Sequence, residues 1–222
     1  MNTVVLTDQK VIDFFTNEMV MAKIDGKQDT SLAAAYHIMG YPTLVLVDPQ
    51  GAEVDRVVGY MPPDSLLIEL TNYKNGIGTL VDLLAQAETN NDRSLAYRIA
   101  EKYHYRGGTE KATAWYNKVI SAGDPHDSLS GECLLAIADV HRRNKEYDAA
   151  LKTFTTVMTD FEGSMFAENA EVWKAIVYRQ MGDTAAAIET FEQFVKHYPE
   201  SEDVEYAQKQ IAGLKGEIEA EK

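Results

Sequence analysis

Three times in the second half of the chain an alanine is followed four residues later by an aromatic ring: Ala112 with Tyr116, Ala150 with Phe154 and Ala187 with Phe191. These alanines stand 38 and 37 residues apart. A fixed period of this size marks an array of one supersecondary unit, because a unit that cannot bury its own apolar face buries it against the next copy. The alignment extends upstream of each pair. Ala96, Ile99, Ala100, Tyr103 and Gly107 align with Leu134, Ile137, Ala138, His141 and Lys145, and again with Ala175, Tyr178 and Gly182. Apolar spacing after Gly76 is helical and strand signals are few, so two helices are expected in each of the copies 92–125, 128–162 and 165–199, after a linker helix over 76–91. A closing helix is expected over 201–222, with Val204, Ala207, Ile211 and Leu214 as its apolar stripe and Glu217, Glu219, Glu221 and Lys222 in solvent. Lys145 in place of glycine and His141 in place of an aromatic make the second copy the weakest.

The first seventy-five residues read differently. Met19–Asp25 (MVMAKID) is a short apolar run before an Asp-Gly turn signal, which predicts a buried strand. A helix capped by Asp29 or Thr30 should follow, with Leu32, Ala35 and Tyr36 on one face and Gly40 as its end. Thr43–Val47 (TLVLV) and Glu53–Tyr60 (EVDRVVGY) flank the turn Asp48-Pro49-Gln50-Gly51 and predict a hairpin whose second strand is half-buried. Leu66, Leu67 and Leu70 after Pro63-Asp64 predict a helix, and Asp8–Asn17 predicts another with Val11, Phe14 and Phe15 inward.

The order strand, helix, Gly40-Tyr41-Pro42-Thr43, hairpin and helix resembles the C-terminal half of a thioredoxin fold, and Val58-Gly59-Tyr60 fits the end of its last strand. The resemblance implies a cis Pro42 and makes Tyr41, the residue before it, the contact for an extended substrate. The family's Cys-x-x-Cys would precede the helix before Met19, and it is not in this chain, whose one cysteine is Cys133. The strand before that motif lies, in the family, between the strands matching 19–25 and 43–47, so its loss should leave unpaired backbone edges. Two expectations follow: the native protein starts upstream of Met1, or Thr3–Leu6 (TVVL) serves as a makeshift strand, and the first is favoured because four residues replace a central strand poorly. The repeats resemble tetratricopeptide repeats with lengthened connections, and Phe194–Ser201 (FVKHYPES) resembles one of their characteristic endings. The fold class is therefore a partial α/β thioredoxin-like domain over 1–75 followed by an all-α tetratricopeptide solenoid.

Composition narrows the chemistry. A net charge of -14 repels nucleic acid over most of the surface. Arg93, Arg98, Lys102, Arg106, Lys111 and Lys118 read as a solvated helical face, as do most of the carboxylates. His37, His104, His126, His141 and His197 lack metal-ligand spacing, no glycine-rich loop follows a strand, and no metal or cofactor is expected. No apolar run reaches the roughly 18 residues of a membrane span, so the expectation is a cytoplasmic protein without membrane insertion, although an upstream segment could carry an export signal. Cys133 sits in the run CLLAIA and reads as a buried small hydrophobe.

These residues predict a redox-inactive adaptor that binds a protein or peptide client. Contacts are expected at Tyr41 and Pro42, and at the first-helix positions Arg98, Lys102, Asp139, Arg142 and Arg143, which would form a basic groove for an acidic segment or a C-terminal carboxylate. The alternative is the C-terminal part of a thiol-disulfide oxidoreductase or thioredoxin-like chaperone whose cysteines lie upstream. Self-association through the exposed sheet edge is a further expectation.

Overall fold

The computed structural model describes residues 4–220, with all their side chains but that of Glu219. The chain divides into two compact units, one running to Gly108 and one starting at Thr109. The division falls between two helices of the segment 92–125 that the sequence assigns to the first repeat.

The first unit contains helices α1 (Gln9–Glu18) and α2 (Thr30–Ala35), strands β1 (Thr43–Val47) and β2 (Glu53–Val58), and helices α3 (Pro63–Lys74), α4 (Leu80–Ala87) and α5 (Arg93–His104). Asp8 caps α1 by accepting from the Lys10 and Val11 amides. The hairpin forms because Asp48 Oδ1 accepts from the Gln50 and Ala52 amides at 2.9 and 2.8 Å, while Gly51 takes the left-handed φ of 84° that its turn requires. β1 runs antiparallel to β2 with Thr43 opposite Val58, and a bulge at Val54 sets Val47 opposite Glu53. Leu44 and Leu46 of β1 pack with Val5, Val11, Val57, Leu66, Leu70 and Tyr73 in the core of this unit.

Met19–Asp25 is not a strand. A strand persists only where a neighbour satisfies its backbone, and the one sheet among the described residues consists of β1 and β2 alone. Val20, Met21 and Ile24 are exposed, Val20 at 99%. The makeshift strand is not found either: Thr3 lies outside the described residues, and 4–7 form a turn that buries Val5. Helix α2 ends at Ala35, five residues before Gly40, because His37 takes a left-handed φ of 49° and the Ile38 amide closes onto Ala33 O at 2.8 Å.

The second unit is all helical: α6 (Thr109–Ser121), α7 (Ser128–Arg143), α8 (Tyr147–Asp160), α9 (Met165–Met181), α10 (Thr184–His197) and α11 (Val204–Ala220). Each packs on the next, and α7 also touches α9. The repeat positions explain this. Ala112, Ala150 and Ala187 are fully buried, as are Ala138 and Ala175, which lets helices approach where a larger side chain would hold them apart. Phe154 and Phe191 fill the two main clusters, and Val204, Ala207, Ile211 and Leu214 seal the last one from α11. Glu217 is exposed as expected; Glu221, Lys222 and the Glu219 side chain lie outside the described residues.

The aligned turn positions share one geometry. Gly107, Lys145 and Gly182 have φ of 71°, 62° and 81°, and the amide after each donates to Tyr103, His141 and Tyr178 O at 2.9, 2.9 and 3.0 Å. Lys145 holds a conformation that costs an L-residue about 1–2 kcal/mol. Glycine there gives back some unfolded-chain entropy, so Lys145→Gly should raise stability by about 0.5–1 kcal/mol. Urea unfolding checks this, and a stability loss would contradict it.

Candidate functional site

The approach to β1 is built around Tyr41-Pro42, whose peptide bond is cis. Pro42 O accepts from the Gly59 amide at 2.8 Å, and Thr43 Oγ1 donates to Gly40 O at 2.8 Å, so the loop is tied to both strands' ends. Tyr41 is 60% exposed. Its ring rests against Gly26, where a Cβ would come within 2.5 Å of the hydroxyl oxygen and push the ring aside. Tyr60 at the end of the hairpin is also exposed, giving the unit two aromatic rings available to a partner.

Lys102 and Arg106 are not a solvated face. Asp55, central in β2 and fully buried, accepts on Oδ1 from Lys102 Nζ at 2.9 Å, Arg106 Nη2 at 2.8 Å and the Arg56 amide at 2.8 Å, and on Oδ2 from the Leu80 amide at 2.8 Å. Burial alone would raise this carboxyl, but the Arg106 and Lys102 hydrogen bonds outweigh it and hold Asp55 below its ordinary value. Burial also pulls the Lys102 ammonium down, against Asp55 pulling it up. Lys102 further donates to the Tyr73 hydroxyl at 3.1 Å and lies over the Tyr73 ring at 4.5 Å. Beside them Arg56 grips Glu53 through Nε at 2.8 Å and Nη2 at 2.5 Å, and donates to Tyr36 O and Tyr105 O. Lys102 is thus spent on an internal clasp and not held out to a client. Arg98 is exposed beside a cleft of about 210 Å³ that Met61, Tyr73 and Tyr105 also line. Arg56, Lys102 and Arg106 line the same cleft, as do Glu69 and Glu101.

On α7, Asp139 draws both arginines onto itself: Oδ1 accepts from Arg142 Nη2 at 2.5 Å, and Oδ2 from Arg143 Nε at 2.5 Å. The Arg142 guanidinium also lies 4.8 Å from the Trp173 ring of α9. These three predicted residues therefore come together, with a tryptophan that sequence reasoning did not single out. They lie in a different unit from Arg98 and Lys102. Glu171 of α9 is a second buried carboxylate, accepting on both oxygens from His197 Nδ1 at 3.1 Å. Cys133 is fully buried in α7. Among the described residues no three His, Cys, Asp or Glu side chains converge as metal ligands, and no helix is long and apolar enough to cross a membrane.

The family model of the thioredoxin-like domain matches residues 1–74, and that of the tetratricopeptide repeat matches residues 170–201, the helix pair α9–α10. The chain joins a thioredoxin-like domain to a tetratricopeptide repeat. Over 49 residues it is 43% identical to the SPbeta prophage-derived thioredoxin-like protein YosR of Bacillus subtilis (strain 168), a match covering 21% of this chain and 61% of that relative. The thioredoxin-like domain accounts for the cis proline before β1, and the tetratricopeptide repeat for the buried alanines and left-handed turns of the second unit.

Proposed function

We propose that these 222 residues act as a client-binding adaptor that carries out no thiol exchange of its own. The observation that carries this reading is the pairing of an open substrate loop with a missing nucleophile: Tyr41 is exposed beside the cis Pro42, while the one cysteine, Cys133, is fully buried in the other unit. Thiol exchange needs an accessible thiolate and a second thiol to resolve the mixed disulfide. Neither is supplied by Cys133. Tyr41 and Pro42 supply one contact to an extended client, and Arg142, Arg143 and Trp173 a second, where arginines beside an aromatic ring are the residue types that dominate binding hot spots. Asp139 keeps the two guanidiniums in place, and a client carboxylate would share them with it.

The expected result is no reduction of insulin by dithiothreitol-recycled protein above a Cys133→Ser control, and turnover above that control would remove the reading. Binding is tested with a panel of extended peptides that differ in acidity. Replacing Arg142 and Arg143 with Glu should weaken capture of the acidic peptides about tenfold or more, and Tyr41→Ala should weaken all of them. In a longer polypeptide that carries a Cys-x-x-Cys segment ahead of Met1, the same loop would serve a thiol-disulfide oxidoreductase, with the repeats docking its clients. The uncharged β1, half-buried over residues 43–46, favours this second reading, because such a strand suits the interior of a larger sheet. Translating the reading frame upstream of Met1 separates the two.

A further inference from the structure

The side of β2 that faces away from β1 lines the cleft of about 210 Å³, which α3 walls with Glu69 and Tyr73 and α5 with its polar face. The Gly59 amide donates to Pro42 O at 2.8 Å just past the last pair of the hairpin, which fixes the ladder's parity. Asp55 and Val57 therefore turn their backbone groups toward β1, and Arg56 and Val58 turn theirs away. Asp55 Oδ1 takes the outward Arg56 amide at 2.8 Å, but the Val58 N–H and the Arg56 and Val58 carbonyls meet no partner among the described residues. A half-buried backbone donor needs an acceptor. Beside this strand end stands an uncommitted cation. Lys102 and Arg106 meet Asp55 in the middle of β2 and Arg56 grips Glu53, whereas Arg98, one turn before Lys102 on α5, lines the cleft with Val58 and Met61. Arg98 donates no hydrogen bond among the described residues, and Asp82, on which its charge acts, already takes the Gly78 amide at 2.7 Å and Gln86 Nε2 at 2.9 Å.

We propose that this cleft captures the C-terminal carboxylate of an extended peptide whose last residue is apolar, with the peptide main chain pairing to Val58 at the β2 edge and the carboxylate taking the Arg98 guanidinium. The proposal rests on the reading of the chain as a client binder and adds to it a contact with its own chemistry. Size makes the occupant a chain end. At about 30 Å³ for each water-sized group, 210 Å³ holds about seven of them, which is too few for a strand that runs on through the cleft. Charge then sets the last residue: Arg98 offers one carboxylate a bidentate partner, while Glu69 and Glu101 on the same walls oppose a second negative charge. Met61, Tyr73 and Tyr105 give the remaining surface an apolar character that suits an apolar side chain. Main-chain bonds at a strand edge supply affinity in such a mode, and the carboxylate and side-chain contacts supply specificity.

The probe is an acetylated, valine-rich tetrapeptide with a free C-terminal carboxylate, titrated into the millimolar range against the 222-residue chain while its backbone amides are followed by NMR. The expected result is a saturable shift of the Val58 and Met61 amides, with slower exchange at Val58 as its N–H gains an acceptor. The same peptide with an amidated C-terminus should bind about tenfold more weakly, and so should the free acid to Arg98→Gln, because each change removes the one charge-assisted pair. Arg98 is exposed and donates no hydrogen bond among the described residues, so Arg98→Gln leaves the fold in place. A peptide ending in glutamate should bind more weakly than one ending in valine. Equal binding of acid and amide overturns the proposal, and so does undiminished binding to Arg98→Gln, shifts that miss Val58, or no binding up to millimolar peptide. Tyr41→Ala should leave the Val58 shifts unchanged, so loss of the carboxylate preference with Tyr41-dependent capture intact removes this site alone, and the converse result removes the Tyr41 contact alone.

Discussion

Asp55→Ala is expected to cost the first unit about 3–5 kcal/mol, the loss typical when one member of a buried ion cluster is removed and its partners stay behind. Two cations would lose a shared partner, and Lys102 its hydrogen-bonded counter-ion. Arg106 keeps Glu53 at 3.0 Å and the Lys102 carbonyl, but Lys102, 13% exposed, keeps the Tyr73 hydroxyl and ring and the charge of Glu69. The Leu80 amide at the start of α4 also loses its acceptor, so the change reaches β2, α4 and α5 together. Lys102→Met should cost less, since Asp55 would still bond Arg106 and two amides. Amide exchange over residues 43–58 and 80–104 should rise by about two orders of magnitude or more in Asp55→Ala. Exchange unchanged there, with a stability loss under 1 kcal/mol, would show that the cluster is not what holds these elements.

The same carboxylate sets a pH dependence. Asp55 is held below its ordinary value when folded, so the unfolded chain binds the proton more readily. Its contribution is therefore complete above the ordinary carboxyl pKa of about 3.9, and is lost as pH falls through the lowered folded value. The first unit should loosen at the acid end of that window, and Asp55→Ala should flatten the acid limb of its stability curve.

What the sequence made legible follows from how each signal arises. Ala112, Ala150, Ala187 and their aromatic partners report a local packing rule that repeats, so the helix pairs could be placed from spacing alone. The hairpin was legible because Asp48 and Gly51 dictate its turn within five residues. Met19–Asp25 was not, because its apolar composition fits a strand while its state depends on a neighbour that no local pattern encodes. The clasp was missed for a related reason: Asp55 and Lys102 are 47 residues apart, and alternation in EVDRVVGY assigns Asp55 to a solvated face when it is fully buried. The i,i+4 pairing of Lys102 with Arg106 was its one available trace. Gly131 of α7 carried no signal either, yet it stands where a Cβ would come within 2.9 Å of the Phe166 ring and 3.0 Å of the Phe161 ring.

Phe191→Ala is expected to cost the second unit about 3–5 kcal/mol, the range for emptying a buried phenylalanine site. Phe191 is fully buried among Val172, Ala175 and Ile176 of α9, Ala187 and Phe194 of α10, and Ala207 and Leu214 of α11. Its ring also meets Tyr206 edge-on, with centroids 6.1 Å apart, an arrangement that adds about 0.5–1.5 kcal/mol beyond area. Alanines on three sides cannot extend into the void, so collapse is limited. Because stability in a helical array is close to a sum of neighbour terms, the damage should stay local. Helix α11 packs on α10 at the end of the chain, so its amides should lose protection first, whereas Phe154→Ala should loosen α7, α8 and α9 through the adjacent cluster of Ala138, Ala150, Val157 and Val177. If Phe191→Ala instead lowers protection evenly from α6 to α11, the second unit unfolds as one cooperative block and the neighbour-by-neighbour account of it fails.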